Sequence, residues 1–496
     1  MGTELIFEVD WSQDGTWVEE AGRLIALRGR IGFAAPGQQV ADVGRMTLEL
    51  DNFDGRYDAG NAAGPLYGKL LPRRAAQVRA RADGGQWWVI FTGWIERIEV
   101  GAGTGSATIT LVDALALLRG EALRVSYAPS RDAVECLGAL VEQAYAAPWP
   151  DYQGEGEVLE HVGWRWLPER MTVWDGVLDV VRTWHGRFWV SRWGDPTYRG
   201  RAWLQKASGT ETLSLGAGGS AERDFPDALD TALDVARVIN AAQVVTYPVD
   251  TLAAESVLWS ASGVLRIAPG ETRTLWAPFR DERGVRCAAV DVVTPVPFTD
   301  FRVTEFRDGS GVDYTTGSAF SLSMALEATR AQLTLRNTAT GALYAQVLRI
   351  RGKPVIEHAP VIGQVADAAS QATYQKRAVV FDLPMQADAA FGQGLAEYTV
   401  RRYSAPVVTA RRVEFEDRDV VAGVNLYGLE LMDPISITDP GSGLAGARHR
   451  ISAIEYEAGA AGRRVALELE RCDDRTYWRL GRASFSALGR QTRLGF

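Results

Sequence analysis

The residues of this chain best suited to chemistry are scattered in a way that forms no reaction site by spacing alone. Four histidines, His161, His185, His358 and His449, stand far apart. None pairs with another at metal-ligand spacing, and no His-Glu-x-x-His occurs. His185 closes a predicted helix, where a ring donor meets free carbonyls, so capping explains it better than catalysis. There is no Gly-x-Ser-x-Gly elbow and no phosphate loop ending in Gly-Lys-Ser/Thr. Cys136, Cys287 and Cys472 are odd in number and widely spaced. They suggest neither a disulfide framework nor a zinc set, and a reducing compartment of synthesis fits. Asp51, Asp54 and Asp58 surround Gly55 as calcium ligands could, but the Asp-x-Asp-x-Asp-Gly spacing and a distal glutamate are missing. A turn accounts for them. Asp308 and Asp313, around Gly309 and Gly311, read the same way. Glycoside hydrolysis needs two carboxylates across a cleft, and with 62 acids in the chain some pair is always close. No catalytic, cofactor-binding or metal-binding residue is therefore assigned, and no enzymatic activity is expected.

Tryptophan is the more informative type. Trp149, Trp164, Trp166, Trp174, Trp184, Trp189, Trp193 and Trp203 crowd one stretch of the chain. Aromatic faces stack on sugars, but they also fill cores and dominate protein interfaces. Trp174 lies on a helical apolar stripe, which favours core or interface for the cluster. Trp164, Trp166 and Trp193 are the candidate partner or glycan contacts. At the C-terminal end Arg475, Arg479, Arg482, Arg490 and Arg493 occur without one acid. That end is either a solvated tail or an arm, carried by Arg479, Arg482, Arg490 and Arg493, that docks on an acidic neighbour.

The elements that must position these residues are mostly strands. A chain of 496 residues, 46% apolar and 23% charged, is globular and too long for one core. Its net charge of −9 argues against a general nucleic-acid binder. No apolar run is long enough for a membrane-spanning helix, and the acidic N-terminus does not read as a signal peptide. Residues 1–120 read as a β domain, a barrel or sandwich. Leu5, Phe7 and Val9 alternate, as do Met46, Leu48 and Leu50. Trp87–Thr92 follows, with Gly93 as punctuation. Strands 94–100 and 106–112 form a hairpin across a glycine loop. Residues 121–215 read as mixed α/β. Ser130 caps one helix there, with Asp132 in its first turn. Thr172 caps a second with Asp175 three residues on, and Gly186 suits its C′ position. Residues 251–352 read as an inserted β-sandwich. The flanking pieces, 216–250 and 353–480, complete one interrupted β domain that includes a helix over 394–403 and a final hairpin. Residues 481–496 form the basic arm.

The order of motifs carries a resemblance. Val43-Gly-Arg-Met-Thr-Leu-Glu-Leu-Asp-Asn-Phe-Asp-Gly-Arg-Tyr-Asp58 with Gly64-Pro-Leu-Tyr67 resembles minor tail and baseplate hub proteins of long-tailed bacteriophages. So do Phe91-Thr-Gly-Trp-Ile95, Thr108-Ile-Thr-Leu-Val-Asp-Ala114, Thr172-Val-Trp-Asp-Gly-Val-Leu178, the strand 240–246 and the closing Glu468-Leu-Glu-Arg-Cys472. The similarity is densest in the first 120 residues. It implies a mainly β multidomain chain with a smaller α/β part: two tube-like β-barrels, from 1–120 and from 216–250 with 353–480, plus the inserted sandwich. It also implies a ring-forming homotrimer at the tail tip of the virion, assembled in the host cytoplasm. Such a hub would adapt a sixfold tail tube to threefold tip proteins and nucleate tail assembly. Its implied partners are the tail tube protein, the distal tail protein and tip or fibre proteins, with genomic DNA passing through the lumen unbound and no membrane insertion by this chain. Two other readings belong to different classes: a receptor- or glycan-binding tail protein, and a cell-wall hydrolase.

Overall fold

The computed structural model describes residues 3–35, 37–82, 84–101, 105–124, 128–145, 150–154, 157–167, 169–204, 212–216, 229–416, 426–472, 476–478 and 492–494, and these are mostly β. The chain opens with β1 (Thr3–Val9), β2 (Val18–Glu19), β3 (Leu24–Gly32), β4 (Asp42–Asp51), β5 (Ala75–Ala82), β6 (Trp88–Val100) and β7 (Ser106–Val112). In β4, Met46, Leu48 and Leu50 are fully buried while Arg45, Thr47 and Glu49 face out, the period of a strand with one wet face. All pair antiparallel in the order β3-β4-β7-β6-β5-β1-β2. Gly93 does not interrupt β6. It sits inside the strand because a Cβ there would stand 2.2 Å from the Val112 carbonyl oxygen.

The mixed part follows: α1 (Leu115–Gly120), β8 (Ala128–Asp132), α2 (Ala133–Val141), β9 (Asp151–Gln153), β10 (Val158–Val162), α3 (Val173–Thr183), β11 (Arg187–Val190), β12 (Pro196–Arg199) and α4 (Arg201–Leu204). Ser130 does not cap α2. Residues 128–132 pair with β10, so the helix cannot begin before Asp132, whose carboxylate accepts from the Val134 N–H at 2.8 Å. Thr172 and Asp175 do form the reciprocal capping box of α3. At the other end of α3, His185 takes the left-handed conformation (φ 53°), its N–H bonded to the Arg182 carbonyl and the Gly186 N–H to the Val181 carbonyl. This is a Schellman closure with His185 at C′ and Gly186 at C″. Glycine at 186 answers to packing: the Tyr198 ring lies 2.6 Å from where its Cβ would be. Leu115, Leu137, Val177 and Val181 of these helices share one core with Leu48, Ile109 and Leu467.

Two short strands, β13 (Leu213–Gly216) and β14 (Leu229–Ala232), precede β15 (Ala241–Thr246). Next come β16 (Val249–Thr251), β17 (Ser256–Ser260), β18 (Leu265–Ile267), β19 (Thr272–Pro278), β20 (Ala289–Val293), β21 (Phe301–Thr304), β22 (Phe320–Leu326), β23 (Arg330–Asn337) and the long β24 (Leu343–Glu357). A six-stranded sheet built on β24 and the three-stranded sheet β19-β23-β22 enclose a core that includes Leu258, Phe279, Val303, Leu333 and Ile350. Then β25 (Val361–Ala366), α5 (Ala368–Tyr374), β26 (Ala378–Asp382) and α6 (Ala389–Tyr403) follow. The strand read as 240–246 joins β25 and β26 in a small sheet of its own, covered by Leu395, Ala396 and Val400 of α6.

The chain then returns to the first sheet through β27 (Thr409–Glu416), β28 (Pro434–Asp439), β29 (Leu444–Gly459) and β30 (Gly462–Arg471). Beyond them, β31 (Thr476–Trp478) and β32 (Thr492–Leu494) pair in parallel. β29 pairs with β3 from Ala453↔Gly32 to Ala458↔Leu27. Both ends of the chain thereby build one thirteen-stranded sheet, with β13 and β28 attached to β29. This differs from the separate closed barrels the sequence suggested: among the described residues neither half closes. The physical reason is a long-range pairing: the edge of β3 that would close the first half is occupied by β29. Gly32 makes the seam possible. Its φ is 113°, and a Cβ would lie 2.4 Å from the Ser452 carbonyl oxygen.

Candidate functional site

The most organised surface is the open face of the large sheet where its two halves meet. Cross-strand partners share a face, so register converts sequence into a row of side chains. One row runs Glu416 (β27), Arg464 (β30), Glu457 (β29), Arg28 (β3), Thr47 (β4), Thr110 (β7) and Arg97 (β6). The next runs Glu414, Ala466, Glu455, Arg30 and Arg45 over the first five strands. The opposite face carries Leu27, Ile31, Leu48, Ile454, Tyr456, Val465 and Leu467, all buried.

The charges interlock across the seam. Arg30 donates to Glu468 at 3.1 Å and lies 3.7 Å from Glu455. Glu455 also accepts from Arg412 at 2.7 Å, and Arg412 donates to Glu414 at 2.7 Å. Arg464 then donates to Glu414 at 3.1 Å and to Glu457 at 2.5 Å. Burial alone would raise Glu414, but the Arg412 and Arg464 partners hold its carboxyl below the usual range. These side chains are partly exposed, so each pair stabilises by only about 0–1 kcal/mol. Their collective effect is a face whose cations already have anionic neighbours. A shallow recess of about 770 Å³ lies on it, with Arg28, Glu49, Thr108, Glu416, Glu457 and Arg464 among its lining residues.

The signature loop after β4 is a folded turn. Asn52 Oδ1 accepts from the Tyr57 N–H at 2.8 Å, and its amide donates to Asp58 at 2.9 Å. Asp54 takes a bidentate Arg23, and Asp51 accepts from the Phe53 N–H at 3.1 Å. Beneath it Glu20 gathers Trp11 Nε1 (2.8 Å), Arg56 (2.7 and 2.9 Å) and Tyr57 OH (2.8 Å). Burial would raise the Glu20 carboxyl, but these donors outweigh it and lower it. Phe53, at 86% exposure, projects from the loop; Tyr67 and Leu71, later in the same connection, and Ile25 on β3 are also exposed. Two of the motif stretches, 43–58 and 108–114, also meet directly. Asp113 accepts from the Gly44 N–H at 2.8 Å and the Leu115 N–H at 3.0 Å. A Cβ on Gly44 would stand 2.6 Å from that carboxylate.

The tryptophans separate. Trp164 packs with Ala288 and Val355 in a core, and Trp166 is buried with its indole N–H on Asp179 at 3.0 Å. Neither presents a face to a sugar. Trp193 is 47% exposed on the Ser191–Asp195 turn, beside a recess of about 290 Å³ that also touches Trp203, Arg199, Asp151, Glu430 and Asp433. Its acids are engaged: Asp151 by Arg199, and Glu430 by the backbone N–H groups of Arg192 (3.2 Å) and Leu431 (2.8 Å). Burial pushes Glu430 up to about 7. Arg192, itself buried, ties this recess to the carbonyls of Tyr427 (2.6 Å) and Leu429 (3.2 Å). The arrangement joins the α/β part to the large sheet. His185 shares a hydrogen bond with Gln39 at 2.7 Å and meets Phe381 edge-on. Its burial, with Arg187 and Arg201 nearby, lowers it to about 3, so it is neutral rather than a cationic cap. Arg493 falls on β32, while Arg479, Arg482 and Arg490 lie outside the described residues. Among the described residues no cluster of His, Cys, Asp or Glu could hold a metal ion, and no helix is long and apolar enough to cross a membrane.

The charged face was not singled out in the sequence. A signal for it existed: Arg28 and Arg30, Glu455 and Glu457, and Arg412, Glu414 and Glu416 each repeat with a period of two. Their pairing across strands far apart in the chain did not show.

No protein-family model matches the chain, and no curated protein does. Among solved structures it is similar to the 43 kDa tail protein of prophage MuSo2 from Shewanella oneidensis, at 10% identity, 94% of this chain, 98% of that one and a TM-score of 0.49. It is also similar to a tail protein from Neisseria meningitidis MC58, at 10% identity, 96% of this chain, 97% of that one and a TM-score of 0.48. A third is prophage tail protein gp18 from Listeria monocytogenes EGD-e, at 8% identity, 94% of each chain and a TM-score of 0.42.

Proposed function

We propose that this chain is a structural component of a bacteriophage tail tip: one subunit of a threefold hub whose large sheet turns its charged face toward the path of the DNA. The observation that carries the reading is that face. Both ends of the chain build it, and its arginines alternate with glutamates instead of standing as a basic stripe. A DNA-binding surface neutralises phosphates with unpaired cations and becomes strongly salt-sensitive. A wall that must let DNA slide needs the reverse, and interleaved ion pairs supply it. The order of the sequence motifs supports the same reading, as does the contact between Gly44 and Asp113 that brings two of them together. The exposed Phe53, Tyr67, Leu71 and Ile25 are the kind of apolar side chain that the centre of a subunit interface covers.

In this hub the work is assembly geometry. Three subunits form a collar, the tail tube protein stacks on one side, and distal tail and tip or fibre proteins attach at the other. The acids near Trp193 serve the join between α/β part and sheet, so no bond-making step is assigned. The test is light scattering and electron microscopy of the purified chain, alone and with its cognate tail tube protein. A threefold ring that captures tube protein is expected. A monomer at every concentration that fails to bind tube protein would overturn the reading.

A further inference from the structure

The outer face of β19-β23-β22 sets one exposed tryptophan among hydroxyl and amide side chains. Its inner side, Leu275, Ala277, Leu322, Met324, Leu333 and Leu335, packs into the core beneath. Its outer side carries Thr272, Thr274 and Trp276 on β19, Gln332, Thr334 and Arg336 on β23, and Ser321 and Ser323 on β22. Trp276 stands directly opposite Gln332, 45% exposed. The guanidinium of Arg330 covers one side of the indole, 3.8 Å from the ring. Glu327 and Glu169 hold that guanidinium in turn. The ring is thus fixed by a braced stack, and nearly half of the residue remains exposed.

We propose that this face binds an anionic polysaccharide, with one sugar ring seated on Trp276 and an acidic substituent near Arg336. The carbon-bound hydrogens of a sugar ring suit an indole face. Hydroxyls of the same ring find both donors and acceptors in Gln332, Thr274, Thr334 and Ser323, set out at the spacing of the pleat. Around Trp276 most outward residues carry hydroxyl or amide groups, whereas the core of a protein interface concentrates apolar side chains, so the face matches the hydroxyls of a sugar better. The charge decides which sugar. Arg336 is exposed on β23, about 14 Å along the strand from Gln332 at ~3.4 Å per residue. No acid stands among the outward residues of these strands to neutralise it. A chain carrying carboxylate or phosphate groups therefore complements the face, and one seated on Trp276 reaches Arg336.

The proposal is independent of the hub reading, because it predicts sugar binding whatever the oligomeric state. The full chain should be run in native gels containing polygalacturonate, hyaluronate or neutral dextran, with scattering to report assembly. Retardation by at least one acidic polymer, and none by dextran, is expected. Trp276→Ala should abolish it, Trp276→Tyr should keep part of it, and Arg336→Gln should weaken it at least threefold, all without changing the subunit count. Absence of retardation by the acidic polymers, retardation equal in dextran, or retardation unchanged in Trp276→Ala overturns the proposal. So does an oligomer that Trp276→Ala dissociates, which would make the face a contact between copies.

Discussion

The contact between Gly44 and Asp113 shows how a motif earns its residues. Two backbone N–H groups need an acceptor where β4 and β7 run out, and a carboxylate reaches both only if residue 44 has no side chain. The arrangement has a pH signature. Burial pushes Asp113 up to about 7 from 3.8, so the folded chain holds the proton more tightly than the unfolded one. Its contribution to stability is full below the unfolded value and is lost as pH rises through about 7. Asp113→Asn, neutral throughout, should flatten that part of the pH dependence, read from urea midpoints between pH 4 and 8. Glu20 works in the opposite sense. Its lowered carboxyl contributes above the ordinary carboxylate range, and the contribution is lost in acid. Roles of this kind were partly legible: the turn residues Asn52, Asp54 and Asp58 were. The tryptophans were not, because Trp166 and Trp193 look alike in sequence and only packing buries one and exposes the other.

Elements were legible where a local rule decides. Thr172 and Asp175 announce the start of α3 through a box that needs only four residues, and Thr172→Ala should cost about 1 kcal/mol in urea unfolding. Alternation found β4, β7 and the hairpin of β29 and β30 for the same reason. The rule failed where pairing overrode it. Ser130 has the chemistry of a cap, but β10 claims its backbone for a strand. Gly93 looks like a break, yet a close carbonyl demands it inside β6. The seam between β3 and β29 belongs to the same class. Gly32→Ala there adds a left-handed strain and a clash with Ser452, and should destabilise by roughly 2–4 kcal/mol. A thermal scan with no loss relative to Gly29→Ala, a neighbour without positive φ whose Cβ meets the terminal methyl of Met46 at 2.8 Å and the Arg45 carbonyl oxygen at 3.1 Å, would contradict this account of the seam.

The molecule as a whole is organised by one sheet that both ends of the chain share, with the α/β part and the β24 sheets built onto it. The proposed passage for DNA turns on charge balance across that sheet, which can be unbalanced. Glu455→Lys with Glu457→Lys leaves Arg30, Arg412 and Arg464 short of partners. The assembled variant should retain double-stranded DNA at low salt and release it as salt rises, while the parent protein retains little at either. Equal retention by both would show that the face is not the surface DNA meets.

From sequence alone came the preponderance of strands, the capped helix and the turn-bearing loop, because each depends on neighbours a few residues away. Tertiary structure alone decided that β3 accepts β29 and leaves both halves open, that Trp164 and Trp166 are core, and that arginines and glutamates hundreds of residues apart fall into one interlocked row. Those outcomes depend on which strand edge meets which, and register between distant segments leaves no trace in either segment read by itself.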